Sequence, residues 1–349
     1  MIVKKIVGTS IHNRKYFADY ELMKEAGIEW IRLGVGFPFL DEGKKVLNEK
    51  FILARENIAF WREKGFKILG ITPGPGHHQA TVGSDVLTYQ KSTPDWMGDH
   101  HSDGYYEKIT ESLNYVGEYF KDSIEYYQIA NEMDIPRFRG TMTADEAIRY
   151  MNASAKGIKA GNPAAKVGIN PTSLETEDAY YFFRKMYSPE NEVELDYAGI
   201  DYYFGSFHPG VPTDWNKAID IIYGITGKPV LVNEWGYSSL GGYIPEGFPT
   251  EPHPKGENWI CVKQAWPYAW KGLHNEEIQA EYFSIVMKIF AEHPHVIGSM
   301  QFDWRDDEKC WCGRSYCPHE CGYGLVNRDG KPKKSFFTFQ KAVREYYGE

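Results

Sequence analysis

The sequence predicts one (β/α)8 barrel, the TIM-barrel form of the α/β class. Three observations carry that expectation: short apolar runs alternate with amphipathic helical stretches, eight such units can be counted, and the unusually long connections all follow a strand. The strand candidates are residues 5–10, 29–34, 67–72, 124–130, 166–170, 198–204, 229–234 and 296–302. Helical patterns fall between them, as at 48–65, 143–161 and 275–293, and a last helix over 333–347 would close the ring. In the first of these, Phe51, Ile52, Ala54, Ile58 and Trp61 lie broadly along one helical face.

Three connections exceed the usual ~2–6 residues. They span 73–103, 236–274 and 303–332, after the third, seventh and eighth strands. In such a barrel these loops lie on the C-terminal face, where active sites are built. They are therefore expected to wall a cleft, and the chain reads as a single domain over 1–349, with 303–332 as a Cys-rich insertion. A length of 349 residues suits that reading, since barrels routinely run past ~250 residues as one unit.

Composition excludes several function classes. The formal charge is −9 and Lys/Arg runs never exceed a pair, which argues against a nucleic-acid partner. No apolar stretch approaches the ~18 residues of a membrane span. The start, MIVKKIVGTS, lacks the apolar core of a signal peptide, so the compartment stays open between cytoplasmic and secreted with the signal removed. Aromatics make up 15% of the chain, with 10 Trp and 25 Tyr. A barrel core uses mainly Val, Ile and Leu. So many amphipathic rings suit stacking on sugar rings or, equally, ordinary packing. Trp96, Tyr105, Tyr106, Trp215, Trp235, Trp266 and Trp270 are the candidate platforms.

Two strands end in the same dipeptide, Asn131-Glu132 on the fourth and Asn233-Glu234 on the seventh. A glutamate where an apolar strand runs out is costly without a reason. Taken singly, each suits a strand-end salt bridge as well as a catalytic role; the repeated pair favours catalysis. Glycoside hydrolysis is the chemistry that needs two carboxylates across a pocket, one donating a proton to the leaving oxygen and the other acting from the opposite face.

At these strand ends the chain resembles the clan A glycoside hydrolases, which include family 5 cellulases and mannanases and family 1 β-glucosidases. IANEMD is similar to the strand-four segment carrying the acid/base, and KPVLVNEWGYSS to the strand-seven segment carrying the nucleophile. The resemblance implies Glu132 as acid/base, Glu234 as nucleophile and a retaining mechanism. Arg32 resembles the arginine that keeps the nucleophile ionised, as a cation within ~4–6 Å favours the charged carboxylate; the alternative is a structural ion pair at the rim. Tyr203 resembles the tyrosine that hydrogen-bonds the nucleophile, with Tyr202 pointing the other way because strand faces alternate. Asn131 resembles the amide that holds the sugar 2-hydroxyl. Trp304 resembles the tryptophan beneath the sugar, against the alternative of a core ring. Trp235, His77 and His78 are further substrate-binding candidates, the histidines equally readable as idle loop residues. The pattern also departs from the clan: family 5 carries His-x-Tyr on strand six, where this chain has Asp201-Tyr202-Tyr203.

Four cysteines, Cys310, Cys312, Cys317 and Cys321, crowd into one stretch with His319. Four thiolates, or three with His319, suit a structural zinc ion, and that reading is preferred over two disulfides or free thiols. Cys310 and Cys312 are too close in sequence to bond each other easily. A catalytic metal would need an open coordination position, so no cofactor is expected for catalysis. The expected partner is a carbohydrate, most often a β-glucan in an endo-glucanase mode, with exo-β-glycosidase and β-mannanase as alternatives. The expected state is a monomer or weak homo-oligomer. A non-catalytic sugar-binding barrel is the rival from another class.

Overall fold

The computed structural model describes residues 4–12, 14–80, 87–172, 174, 177–240, 269–272, 274–309 and 320–348. Eight strands make the main sheet: β1 Ile6–Ser10, β2 Trp30–Gly34, β3 Lys67–Ile71, β6 Ile124–Gln128, β7 Lys166–Gly168, β8 Ala198–Asp201, β9 Val230–Trp235 and β10 Val296–Gln301. All pair in parallel, in the order β7-β6-β3-β2-β1-β10-β9-β8. The seam between β7 and β8 closes through bonds from Asp196 N to Val167 O (2.8 Å), Gly199 N to Ile169 O (2.8 Å) and Asp201 N to Pro171 O (3.2 Å). The chain is therefore a (β/α)8 barrel. Each expected strand is present, generally one to three residues shorter than its apolar run.

Helices follow the strands: α1 Tyr20–Ala26, α2 Glu49–Glu63, α3 Asp103–Tyr119, α4 Pro136–Arg139, α5 Ala144–Gly161, α6 Glu177–Met186, α7 Asp214–Thr226, α8 Glu276–Glu292 and α9 Lys334–Ala342. Their starts obey local chemistry. Thr143 and Glu146 form a reciprocal capping box on α5, and the Asn275 side chain accepts from Ile278 N at the start of α8, each satisfying a donor the first turn leaves open. None of the described helices is long and apolar enough to cross a membrane. The connection at 73–103, read from sequence as an unbroken loop, contains an antiparallel hairpin, β4 Gly76–Ala80 with β5 Leu87–Lys91.

Two cores result. The outer one fills the space between strands and helices and runs through most of the chain. The inner one plugs the barrel with Ile6, Trp30, Leu69, Tyr197, Leu231 and Met300, so two aromatic rings share a space expected for branched aliphatics. Above that plug the inward positions turn polar, and Gly199 makes this possible on β8. A Cβ there would stand 2.3 Å from Asn233 Oδ1, which crosses the interior. Beyond the last strand, Lys333 donates to Asp306 (2.9 Å) and Gly322 O (3.0 Å). Burial pushes Asp306 up and Lys333 down. Desolvation thus outweighs the pair's attraction in both, and the bond's value lies in anchoring the returning loop.

The helix that follows the Glu132 turn packs unusually close to its neighbour. Cβ atoms added to Gly157 and Gly161 on α5 would meet Thr110 O and Asn114 O on α3 at 2.5 and 2.1 Å. Gly157→Ala must push the two helices apart, an overpacking that costs about 1–3 kcal/mol although Ala is the better helix former. Urea unfolding should show the loss; a variant as stable as the parent would disprove the tight contact.

Candidate active site

The fourth barrel strand, β6, ends in a strained turn. Ala130 has φ 56° and Glu132 φ 44°, left-handed backbone that non-glycine residues adopt at a cost of ~1–3 kcal/mol. Hydrogen bonds hold both. Thr72 Oγ1 accepts from Ala130 N (2.8 Å), Gln128 Nε2 donates to Ala130 O (2.8 Å), and Asn170 Oδ1 accepts from Glu132 N (3.4 Å). The turn brings Asn131 and Glu132 to the mouth of the barrel, where both are half-buried.

Asn131 Oδ1 accepts three donors, from Arg32, Gln128 and Asn170, each at 3.0 Å. Its oxygen is saturated, so only the Nδ2 hydrogens remain to serve a ligand. Glu132 is crowded by protein atoms, and this desolvation holds its carboxyl well above the ordinary range. Glu234 and Asp134 add to the rise, while Arg137 and Arg32 oppose it.

Glu234 is engaged differently. Arg32 NH1 lies 2.7 Å from its Oε1, and Tyr203 donates to its Oε2 (2.5 Å). One oxygen each from Glu132, Asp201 and Glu234 lies within 4.8 Å of the other two. The guanidinium that serves Glu234 is 1% exposed and reaches further, through Nε to Gln128 Oε1 (2.8 Å) and NH1 to Ser10 Oγ (3.2 Å). Asn233 Nδ2 donates to the same Gln128 oxygen (2.9 Å), so the two Asn-Glu dipeptides are tied through one glutamine.

The structure thus brings Arg32, Asn131, Glu132, Tyr203 and Glu234 together and leaves other candidates elsewhere. Trp304 is not a platform. It is fully buried, its indole N–H donates to Asp19 (2.8 Å), and its ring meets Phe336 edge-on at 6.2 Å. Trp235 is also fully buried, against Phe283 (4.8 Å) and Phe290 (5.4 Å) of α8. Asn233 and Glu234 both face the interior at a bulge of β9, and past it the strand turns Trp235 outward. His77 and His78 stand on β4, half-buried, and His78 packs against Tyr89 (5.3 Å). Trp215, Tyr105 and Tyr106 are buried, whereas Trp96 and Trp270 are half-buried. Cys321 is buried at the start of the returning loop; Cys310, Cys312, Cys317, His319 and Trp266 lie outside the described residues.

Sequence reasoning missed several residues here. Phe302, half-buried at the end of β10, faces Tyr203 (5.9 Å), Tyr323 (5.9 Å) and His12 (5.4 Å). Phe207 stacks on Tyr323 at 5.8 Å and meets Tyr203 at 5.5 Å. Phe302 was detectable, being the last residue of the eighth apolar run; Asn170 and Phe207 have no motif.

No family model matches the sequence, and no curated protein matches it. Solved structures match closely in fold. The GH53 catalytic domain from Ignisphaera aggregans is 16% identical, with a TM-score of 0.63 over 97% of this chain and 96% of that one. An exo-β-1,4-mannosidase from an Opitutaceae bacterium is 13% identical, with a TM-score of 0.67 over 98% of this chain. A β-galactosidase from the Antarctic haloarchaeon Halorubrum lacusprofundi is 15% identical, with a TM-score of 0.61 over 98%. The chain spans 59% of the mannosidase and 58% of the galactosidase. At these identities the likeness is one of fold: this barrel is shared with β-glycosidases.

Two outcomes follow from the geometry. Tyr203→Phe removes a hydrogen bond to a charged group worth ~1.5–3 kcal/mol, so turnover should drop about 10- to 150-fold with the fold intact by circular dichroism. A general acid at Glu132 would have to carry a proton, and its carboxyl sits above the ordinary range. The rate should therefore hold through mildly acidic pH and fall as pH rises through that raised value. A profile flat into the alkaline range would remove Glu132 from the acid role.

Proposed function

We propose that the chain is a retaining β-glycoside hydrolase, with Glu132 as general acid/base and Glu234 as nucleophile. The observation that carries this reading is the pair of carboxyls. They approach within 4.8 Å, yet one is crowded toward its protonated form and the other is held by a guanidinium and a phenol. Double displacement needs that division: one neutral carboxyl to protonate the leaving oxygen and one ionised carboxyl to attack. So close an approach of their oxygens suits the ~5–5.5 Å of retaining pairs better than the ~6.5–9.5 Å that inverting pairs leave for water.

In the first step Glu132 gives its proton to the glycosidic oxygen while Glu234 attacks the anomeric carbon and displaces the alcohol. In the second, Glu132 takes a proton from water, which attacks the same carbon and frees Glu234. The Nδ2 of Asn131 suits the sugar 2-hydroxyl, and the face of Phe302, rather than Trp304, is available beneath the sugar. A non-catalytic sugar-binding barrel would have no need of two carboxyls held in such different surroundings.

The substrate class we favour is a β-linked oligo- or polysaccharide, most of all a β-glucan cleaved internally, a reading supported by the rings of Phe207, Phe302 and Tyr323 gathered around Tyr203 beside Glu234. The catalytic steps use only the chain's own residues. For the cysteine cluster we propose a structural zinc ion on Cys310, Cys312, Cys317 and Cys321, with His319 as the alternative ligand. A buried Cys321 suits a closed site.

Glu132→Gln should lower turnover of a poor leaving group about 10²–10⁴-fold, and Glu234→Ala should abolish it. Reducing-sugar release from β-glucans, mannans and aryl glycosides reads both. A 2-fluorosugar inactivator should label Glu234, and the first-formed anomer seen by NMR should keep the substrate's configuration; label elsewhere, or inversion, refutes the assignment. Strong chelation should lower the melting temperature and release about one zinc per chain while the initial rate survives. Loss of rate with no change in stability would contradict a structural metal.

A further inference from the structure

The site holds a third carboxyl that the two-glutamate mechanism does not use. Asp201, the last residue of β8, is fully buried. It faces the interior by simple alternation with Tyr197 and Gly199, and an irregularity in pairing sets the nucleophile opposite it. β8 and β9 run in register up to Ile200↔Val232, and the next pair is Asp201↔Glu234. The extra residue, Asn233, is on β9, and a bulge of this kind re-aims a side chain: it turns Glu234 inward, toward Asp201.

Its bonding is that of a neutral acid. A buried carboxylate needs several donors to offset its desolvation. Asp201 Oδ2 accepts one good hydrogen bond, from Asn170 Nδ2 (2.6 Å), and Oδ1 is buried with no partner among the described residues. The cation nearby is committed to another group: Arg32 lies 2.7 Å from Glu234 and 3.6 Å from Asp201. Arg32 from β2, Glu234 from β9, Glu132 from the turn after β6, and Tyr203 and Tyr197 at the two ends of β8 are the titratable groups that act on it. Charge balance decides the rest. With Glu234 ionised, Glu132 protonated and Arg32 charged, the cluster is neutral only when Asp201 keeps a proton. A second buried anion would compete for the one guanidinium and carry the penalty of an unpaired buried charge.

We propose that Asp201 is a proton-bearing positioning residue. Its neutral carboxyl, with the proton on Oδ1, leaves Arg32 to Glu234 and holds the Asn170 amide that supports Asn131 and Glu132; its ionisation shuts the site from the alkaline side. The relay is continuous. Asn170 Nδ2 donates to both Asp201 Oδ2 and Asn131 Oδ1, and its Oδ1 accepts from Glu132 N. An ionised Asp201 pulls on both ends, drawing Arg32 from the nucleophile and the amide from the acid/base turn. Burial pushes the Asp201 carboxyl well above its ordinary range, Glu234 and Glu132 add to the rise, and Arg32 opposes it. The acid is thus neutral where Glu132 is also protonated.

One arm of the test is independent of substrate. With carboxyl-labelled aspartate, the wild-type protein at neutral pH should give the infrared carbonyl band of a protonated acid. Asp201→Asn should remove it and Glu132→Gln should leave it. Should Asp201→Asn fail to fold, Asp201→Ser provides the same subtraction. A band that neither Asp201 variant diminishes overturns the proposal. The second arm rests on the glycosidase reading. In Asp201→Asn the alkaline limb of kcat/KM should move to higher pH and its steepness fall from two protons to one. Limbs that superimpose overturn the switch. A wild-type protein that turns over no glycoside refutes the glycosidase reading, and the infrared arm still decides the state of Asp201.

Discussion

One guanidinium organises the catalytic face. Arg32 is almost wholly buried and cannot give up its charge, so the barrel must supply anions and acceptors around it. Glu234 comes from β9, Gln128 and Asn131 from the end of β6, Ser10 from β1 and Asp201 from β8. Each contact crosses the barrel interior or joins neighbouring strands. Removing the cation would leave Glu234 and Asp201 as buried acids without compensation, a loss of the kind that typically costs several kcal/mol. The strand ends are therefore mutually dependent, and the polar layer works as a unit.

That dependence explains how two glutamates with the same sequence neighbour acquire different chemistry. Both follow asparagine at the end of an apolar strand. Glu234 lies at a bulge of β9 beside Arg32 and Tyr203. Glu132 lies one residue past Asn131 in a left-handed turn, where crowding dominates and the guanidinium is a minor influence. The strain at Ala130 and Glu132 is held by bonds to Thr72, Gln128 and Asn170, which come from three strand regions. Position along the chain does not distinguish the two carboxyls; their surroundings do.

Much of the fold was legible because it is written in local pattern. Apolar runs marked all eight strands, and the helical patterns beginning at Thr143 and Asn275 met the helix starts to within a residue. That the strand-end glutamates, Arg32, Asn131 and Tyr203 lie together was legible because all of them stand at or just past the last positions of strands. Trp235 was misread although alternation placed it outward from Glu234. Trp304 was misread because the chain leaves β10 at Gln301, which brings Phe302 to the cleft and turns the indole toward Asp19. The hairpin β4–β5 was read as loop because GHHQA lacks a strong strand composition.

By itself, then, the sequence determined the barrel, the identity of the two glutamates and the residues nearest to them, since periodicity and strand-end chemistry act over a few residues. The tertiary structure decided which carboxyl is crowded and which is paired, which aromatic ring faces the cleft, and that Asp201 enters the cluster at all. Those outcomes depend on pairing register, on the β9 bulge at Asn233 and Glu234, and on side chains contributed by distant strands. Electrostatic and packing energies depend on distances in space, and the order of residues along a chain does not specify those distances.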